Sequence, residues 1–249
     1  MKANNIEVQY SDTDSCFFKQ NNMSIDEVKE VIGGLNLTYN QIAKELNLDT
    51  HNFDMKFEKI YKTLFFADAK KRYAGLLKFK EGKEVNIIDI TGFSSKRSDT
   101  PQIARDFEKN IFEMILLEKP KKEVDEYVLN FKTKIKQGVF TAEQIALPIG
   151  ISKEVYKNMP IHIRAVNVSR KYHNLKVVAR DKIKYIYVKG NTWGHSENVV
   201  AFKTRMPGGY IIDYDKMIDR IVTKKIEPIY ECLGWGVNGN IKKIGDFFK

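Results

Sequence analysis

The spacing of apolar residues changes once along this chain, and that change is the strongest constraint on its fold. Up to about residue 94, apolar residues mostly alternate with polar ones, as in strands that bury one face. One segment differs: Ser24 and Glu27 form a capping-box pattern, which predicts a helix to about residue 48, interrupted near Gly33. After Pro101 the apolar residues recur every third or fourth position, which predicts helices. We therefore expect an α+β chain.

The individual elements follow from the same patterns. Strands are predicted at residues 6–10 and 15–18, joined by an acidic turn, and at residues 53–66, 73–79, 85–90, 184–188 and 199–203. Helices are predicted at residues 101–116, 121–135 and 213–233, while residues 140–180 are mixed. We expect three parts: an antiparallel sheet fragment with a packed helix (1–94), a mainly helical part (95–233) and a tail (234–249) that begins with a glycine-rich stretch.

Composition excludes several classes of protein. No run approaches the roughly 18 apolar residues that cross a bilayer, so no membrane partner is expected. The two cysteines and four separated histidines lack the spacing of a disulfide framework or a zinc site. We expect a cytoplasmic protein.

Charge is distributed unevenly. Residues 1–66 hold seven basic and ten acidic side chains, whereas the whole chain has a net charge of +10, so the remaining residues carry +13. A mildly acidic N-terminal part (residues 1–66) and a basic remainder suggest a cation site joined to a surface for polyanions, although many basic proteins never bind nucleic acid.

The acidic turn is the first candidate site. In YSDTDS (residues 10–15), Asp12 and Asp14 leave the sheet edge together, where both can reach a divalent cation. Phosphoryl transfer uses such an arrangement, because two metals about 4 Å apart can activate the attacking oxygen and stabilise the leaving one. Calcium loops, sugar-nucleotide sites and simple turns share the Asp-x-Asp pattern.

Two basic segments follow. KKRYAG (residues 70–75) is predicted to open a strand with three cations, which suits either base-independent contact with DNA or a solvated sheet edge that deters pairing. TGFSSKRSDTP (residues 91–101) is a polar connector in which Lys96 and Arg97 can bind phosphates, with Asp99 as a helix cap or an orienting partner.

Taken together, these segments resemble family B DNA polymerases. YSDTDS matches the family's YxDTDS metal motif, KKRY its KKRY motif, and GFSSKRSD (residues 92–99) its G-x-x-x-x-R-[RS]-D segment. The three stand in the family's order and approximate spacing. Residues 148–165 also resemble the family's thumb, so the resemblance covers nearly the whole chain.

The resemblance implies a palm-sheet fragment followed by a thumb, and it assigns roles to matching residues. Asp14 would ligate the catalytic metals, with Asp12 beside it as a second carboxylate. The primer end would be held by Lys70, Lys71, Arg72 and Tyr73, and the primer strand braced by Lys96, Arg97 and Asp99. Thumb contacts to phosphates would come from Lys157, His162 and Arg164.

The resemblance also implies partners: two Mg²⁺ ions, primer-template DNA and a deoxynucleoside triphosphate. This sequence lacks two further features of the family, an aspartate from an earlier palm strand and a fingers helix whose lysine contacts the triphosphate. Since the chain starts only nine residues before Tyr10, we expect a large polymerase subunit to supply both and to share the metal site. The chain alone should be inactive. A natural small subunit and a piece of a longer polymerase fit equally, in an archaeal-type or viral replication context.

The tail IGDFFK (residues 244–249) resembles a sliding-clamp-binding peptide, with Ile244 as the aliphatic anchor before Phe247 and Phe248. Ile241 stands where such peptides usually have Gln, and the alternative is a tail that packs its phenylalanines on the thumb.

Two other functions remain open. One is a non-catalytic DNA-binding accessory module in which Asp12 and Asp14 are structural. The other is a glycosyltransferase that uses Asp-x-Asp to hold a metal-bound sugar nucleotide, which leaves KKRYAG and the basic remainder unexplained.

Overall fold

The structure, a computed structural model, describes residues 6–152 and 157–236. These residues mix helices with antiparallel strands, which confirms the expected α+β class. They divide into two compact units. The first contains Met1–Lys62 and Leu77–Ile87, and the second contains Thr63–Leu76 and Ile88–Lys249.

The first unit begins with the predicted acidic hairpin. Strand β1 (Val8–Asp12) pairs antiparallel with β2 (Ser15–Phe18), and a helix, α1 (Ile25–Glu45), follows. The predicted capping box is present: the Ser24 hydroxyl accepts from the Glu27 N–H at 3.2 Å, and the Glu27 carboxylate accepts from the Ser24 N–H at 2.7 Å. Two backbone donors at the helix start are thereby satisfied.

The expected interruption of α1 is wrong. The helix continues through Gly33 and Gly34, although glycine there costs roughly 0.5–1 kcal/mol relative to alanine. Val28, Ile32 and Ala43 are buried along one face of α1, and that burial stabilises the helix beyond its local preference.

Three strands form the next sheet in the order β3 (Lys59–Phe66), β4 (Tyr73–Lys80) and β5 (Lys83–Thr91), and Glu81 and Gly82 form the turn between β4 and β5. The predicted start of β3 at residue 53 is wrong. Asn36 of α1 both donates to the Met55 carbonyl at 2.9 Å and accepts from the Met55 N–H at 2.8 Å. These bonds satisfy the backbone of Met55 without a strand partner.

In the second unit, two helices match the predicted positions closely: α2 (Gln102–Leu116) and α3 (Lys121–Lys136). Their contact is aromatic, since the rings of Phe107 and Phe131 stack with centroids 4.5 Å apart. Phe107, Ile111 and Phe112 are almost fully buried, so α2 lies at the core of this unit.

Residues 140–180, whose sequence pattern is mixed, contain three regular elements: α4 (Ala142–Ile145), β6 (Leu147–Gly150) and α5 (Ile161–His173). The central strand of their sheet is β7 (Lys182–Asn191). It pairs antiparallel with β6 and with two later strands, β8 (Val199–Phe202) and β9 (Tyr210–Ile212). Helix α5 packs on β8, where the Ser169 hydroxyl donates to the Ala201 carbonyl at 2.7 Å and accepts from its N–H at 3.0 Å.

The long C-terminal helix predicted at residues 213–233 is present but not uniform. It consists of α6 (Tyr214–Ile218), a π-helical segment (Asp219–Thr223) and α7 (Lys224–Cys232). Pro228 lies inside α7 and has no N–H to donate to the Lys224 carbonyl. A wider π turn before such a position is one way for a helix to accommodate the break.

None of the helices in these described residues is both long enough and apolar enough to cross a membrane.

Candidate nucleic-acid interface

The acidic hairpin places its two carboxylates on either side of a single turn residue. Asp12 pairs with Ser15 in the strand register, and Thr13 has a φ of +34°, in the left-handed region that tight turns use. The Thr13 hydroxyl donates to the Asp12 carboxylate at 3.2 Å, and the Ser15 hydroxyl donates to the Asp12 carbonyl at 3.3 Å. Asp14 is exposed and Asp12 is half-buried.

Carboxylate oxygens at an exposed turn fit part of a magnesium site, because Mg²⁺ prefers oxygen ligands in octahedral geometry. The described ranges contain no group of three or more histidine, cysteine or acidic side chains that could hold a metal. Asp12 and Asp14 could therefore hold a magnesium ion only together with ligands from elsewhere, such as water, substrate or another polypeptide segment.

In the second unit, residues 67–72 form a turn that we call the basic turn. Its Ala67 N–H donates to the Arg72 carbonyl at 3.0 Å, and Lys71 has a φ of +61°. Lys70, Lys71 and Arg72 are exposed in this turn, and β4 begins only at Tyr73. The prediction that these cations open a strand is therefore wrong, and the strand pleat does not decide which way they face.

Gly92 brings the basic turn against the start of the polar connector. Its φ is +76°, and a Cβ added there would lie 2.1 Å from the Lys71 carbonyl oxygen and 2.9 Å from the Arg72 Cγ. Only glycine allows this approach. Two basic segments that lie twenty residues apart in the sequence are consequently neighbours in space.

Residues 93–100, which we call the polar loop, carry the second pair of cations. Arg97 forms a fork with Asp99, its Nε donating at 2.9 Å and its Nη2 at 2.5 Å. That hydrogen bonding lowers the pKa of Asp99 and raises the pKa of Arg97. Asp99 thus orients Arg97. It does not cap α2, because the N-cap residue of that helix is Pro101. Lys96 is exposed beside this pair.

Two further charged residues lie beneath the polar loop, and sequence reasoning missed both. Glu108 of α2 is 2% exposed and accepts hydrogen bonds from the Ser94 hydroxyl at 2.7 Å and from the Ser95 N–H. Burial raises the pKa of Glu108, while the bonds from both serines and the charge of Lys225 oppose that rise. Burial lowers the pKa of Lys225 in α7, and the carboxylates of Glu108 and Asp99 oppose that lowering.

A sequence signal for these residues existed. Glu108 lies one turn before Ile111 and Phe112 on the apolar face of α2, and Lys225 lies one turn before the buried Ile229 of α7. Charged residues at apolar-face positions are rarely buried without partners, so each predicts an opposite charge or a donor nearby.

The thumb candidates are separate from the basic turn in the sequence and have other neighbours. Lys157 is exposed. His162 in α5 is half-buried, and burial lowers its pKa. Arg164 donates from Nε at 3.0 Å and from Nη2 at 2.5 Å to one carboxylate oxygen of Glu197. A phosphate contact by Arg164 would have to compete with that ion pair.

The tail residues Ile244, Phe247 and Phe248 lie outside the described residues.

Comparison with known proteins gives consistent matches. The family model described as DNA polymerase family B matches residues 1–233. "DNA polymerase 2" of Aeropyrum pernix is 28% identical over 188 residues, which are 75% of this chain and 21% of that protein. "DNA polymerase" of Archaeoglobus fulgidus is 28% identical over 186 residues, which are 74% of this chain and 21% of that protein.

A solved structure is also similar. The family B DNA polymerase from the hyperthermophilic archaeon Pyrobaculum calidifontis superposes with a TM-score of 0.63 at 26% identity, covering 92% of this chain and 27% of that one. The chain therefore spans between a fifth and about a quarter of the length of these relatives.

Proposed function

The chain belongs to DNA polymerase family B, and we propose that it is the C-terminal part of such a polymerase, active in template-directed DNA synthesis within a complex. Residues 1–94 would form part of the palm, residues 95–233 the thumb and residues 234–249 a tail. In this role the chain grips primer-template DNA and donates carboxylates to the catalytic metal site.

The observation that carries the proposal is the contact at Gly92, which places the basic turn against the residue that precedes the polar loop. This contact gathers Lys70, Lys71 and Arg72 near the loop that carries Lys96 and Arg97, and all five side chains are exposed. Cations that contact phosphates fix the position of a duplex without reading its sequence. A polymerase needs such a base-independent grip on the primer strand.

Asp12 and Asp14 are the residues that would hold magnesium. When bound, a magnesium pair neutralises the triphosphate and activates the primer 3′-hydroxyl. The chain's own contribution is to hold both carboxylates at the hairpin turn and to keep the primer end in place through Tyr73 and the basic turn. The deoxynucleoside triphosphate is the second substrate.

We also propose that a large subunit supplies the remaining palm and fingers. The chain spans only 21–27% of the relatives named above, and two carboxylates cover a minority of the ligands that a pair of six-coordinate ions needs. Synthesis would then require both parts, and the chain alone would bind DNA without extending it.

Replacing both aspartates tests the catalytic role. In a complex reconstituted with a polypeptide that carries the remaining palm and fingers, D12N/D14N should reduce primer extension about a hundredfold or more, because several kcal/mol of charge stabilisation is lost. Affinity for the primer-template should be unchanged. The control is D49N, which removes an exposed carboxylate elsewhere in the first unit. Unchanged extension by D12N/D14N would favour the non-catalytic DNA-binding module.

The tail is a separate proposal, based on its resemblance to clamp-binding peptides. Deleting residues 241–249 should abolish co-purification with a sliding clamp while leaving duplex affinity unchanged. Equal clamp capture by the intact and the shortened chain would assign the phenylalanines to another role.

A further inference from the structure

The carboxylate of Glu108 has no part in the role proposed above, yet it is among the most deeply buried charged groups in the second unit. It is 2% exposed on a helix face that otherwise buries Phe107, Ile111 and Phe112. Burying a carboxylate is costly unless it accepts several hydrogen bonds or faces an opposite charge. The hydrogen bonds to Glu108 come from the polar loop, which carries two of the proposed DNA-binding cations, and the charge of Lys225 in α7 favours its ionised form.

The hydrogen bonds to Glu108 come from the polar loop. Ser94 donates through its hydroxyl at 2.7 Å and Ser95 through its backbone N–H. These serines begin the short 3₁₀ turn Ser94–Lys96, which the Arg97 N–H closes by donating to the Ser94 carbonyl at 3.0 Å. The position of this turn sets the positions from which the Lys96 and Arg97 side chains extend.

Both ends of the polar loop are fixed independently of Glu108. Phe93 packs its ring against Phe112 with centroids 4.5 Å apart, and Thr100 is 2% exposed. Between these anchors, two hydrogen bonds to Glu108 tie the loop to α2, one from the Ser94 side chain and one from the Ser95 backbone. Glu108 is therefore placed to set the geometry of the loop between its fixed ends.

Lys225 supplies the opposite charge from α7. The positive charge of Lys225 favours the ionised forms of Glu108 and Asp99. The positive charge of Arg97 acts against the ionised form of Lys225 and lowers its pKa. Lys225 is therefore near enough to both carboxylates for its charge to lower their pKa values.

We propose that Glu108 is a positioning residue for DNA binding, acting through Ser94 and Ser95 on Lys96 and Arg97. This inference rests on the proposed function, because it assigns Lys96 and Arg97 to the DNA grip.

The test compares E108Q with E113Q in the 249-residue chain. Both changes remove one negative charge from α2, but Glu113 is exposed. Affinity for a fluorescent primer-template duplex should fall about tenfold in E108Q, the scale of losing one or two phosphate contacts. It should stay within about twofold in E113Q, as expected for a surface change away from the loop.

A double-mutant cycle separates positioning from general stability. In a K96A/R97A background the loss caused by E108Q should shrink to less than about twofold, because the cations through which Glu108 acts are gone. An equal loss in both backgrounds would assign the effect to the whole unit and overturn the inference.

Amide hydrogen exchange gives a readout that does not depend on DNA. Exchange at residues 94–97 should be about tenfold faster or more in E108Q and unchanged in E113Q. If E108Q fails to fold, S94A removes one donor only and should shift affinity and exchange in the same direction, with S98A as its control in the same loop.

The outcomes distinguish the two proposals. If the wild-type chain does not bind the duplex, the proposed function fails, while hydrogen exchange alone still decides whether Glu108 positions the loop. If the wild-type chain binds and E108Q matches it in affinity and exchange, the positioning role is overturned and the proposed function stands.

Discussion

At the scale of single residues, Gly92 decides whether the two basic segments can meet. Its backbone has a positive φ, and the Lys71 carbonyl occupies the space that a Cβ would need. The sequence shows a glycine at the start of a motif but does not show what lies against it. This contact pairs residues that are distant in sequence, which local patterns do not reveal.

We predict that G92A weakens duplex binding as well as stability. The left-handed backbone alone costs an alanine about 1–3 kcal/mol, and the added Cβ must also displace the basic turn. The measurements are thermal unfolding and the affinity for a primer-template duplex.

Gly82 provides a matched control for this prediction. It has a φ of +82° and nothing within 4 Å of an added Cβ, so G82A carries the backbone cost without the collision. G82A should lower stability while leaving duplex affinity unchanged. Equal affinity losses in both variants would mean that the contact at Gly92 does not organise the DNA-binding surface.

At the scale of elements, local signals predicted position and type well where they did not compete with tertiary contacts. The acidic hairpin, the capping box of α1, and helices α2 and α3 appear where the alternation and the 3.6-residue period placed them. The start of β3 and the π segment before α7 were missed. In the first case the Asn36 side chain takes the backbone bonds of Met55, and in the second Pro228 removes a helix donor.

The contact between α5 and β8 is another tertiary feature that local sequence patterns do not predict. Ser169 is fully buried and both donates to and accepts from the backbone of Ala201. A serine in a helix is an ordinary surface residue by composition, so only the packed structure identifies it as a fixed contact.

We predict that S169A costs about 1–3 kcal/mol of unfolding free energy, because it leaves a buried backbone group without its partner. Chemical denaturation measures this cost. The control T133A removes an exposed hydroxyl that bonds to the Leu129 carbonyl within α3, and it should change stability by less than about 0.5 kcal/mol. A similar small effect for S169A would show that the α5–β8 contact adds little.

At the scale of the whole molecule, the net charge differs in sign between the first 66 residues and the rest. The acidic part, residues 1–66, contains Asp12 and Asp14, and the basic remainder contains the cations of the basic turn and the polar loop. The family was accessible from sequence because three short motifs occur in a fixed order, and the α+β class because the spacing of apolar residues changes along the chain. The roles of the candidate residues stay predictions. Glu108 and Lys225 were not found that way, since they lie far apart in sequence and belong to no motif.

The most direct test records binding and extension of the same duplex by the purified chain alone, with magnesium and all four deoxynucleoside triphosphates present. We predict binding that weakens steeply as salt rises, because phosphate contacts release counterions, together with no extension of the primer. Extension by the isolated chain at an ordinary polymerase rate would contradict the account, because the metal site would then need no second polypeptide segment.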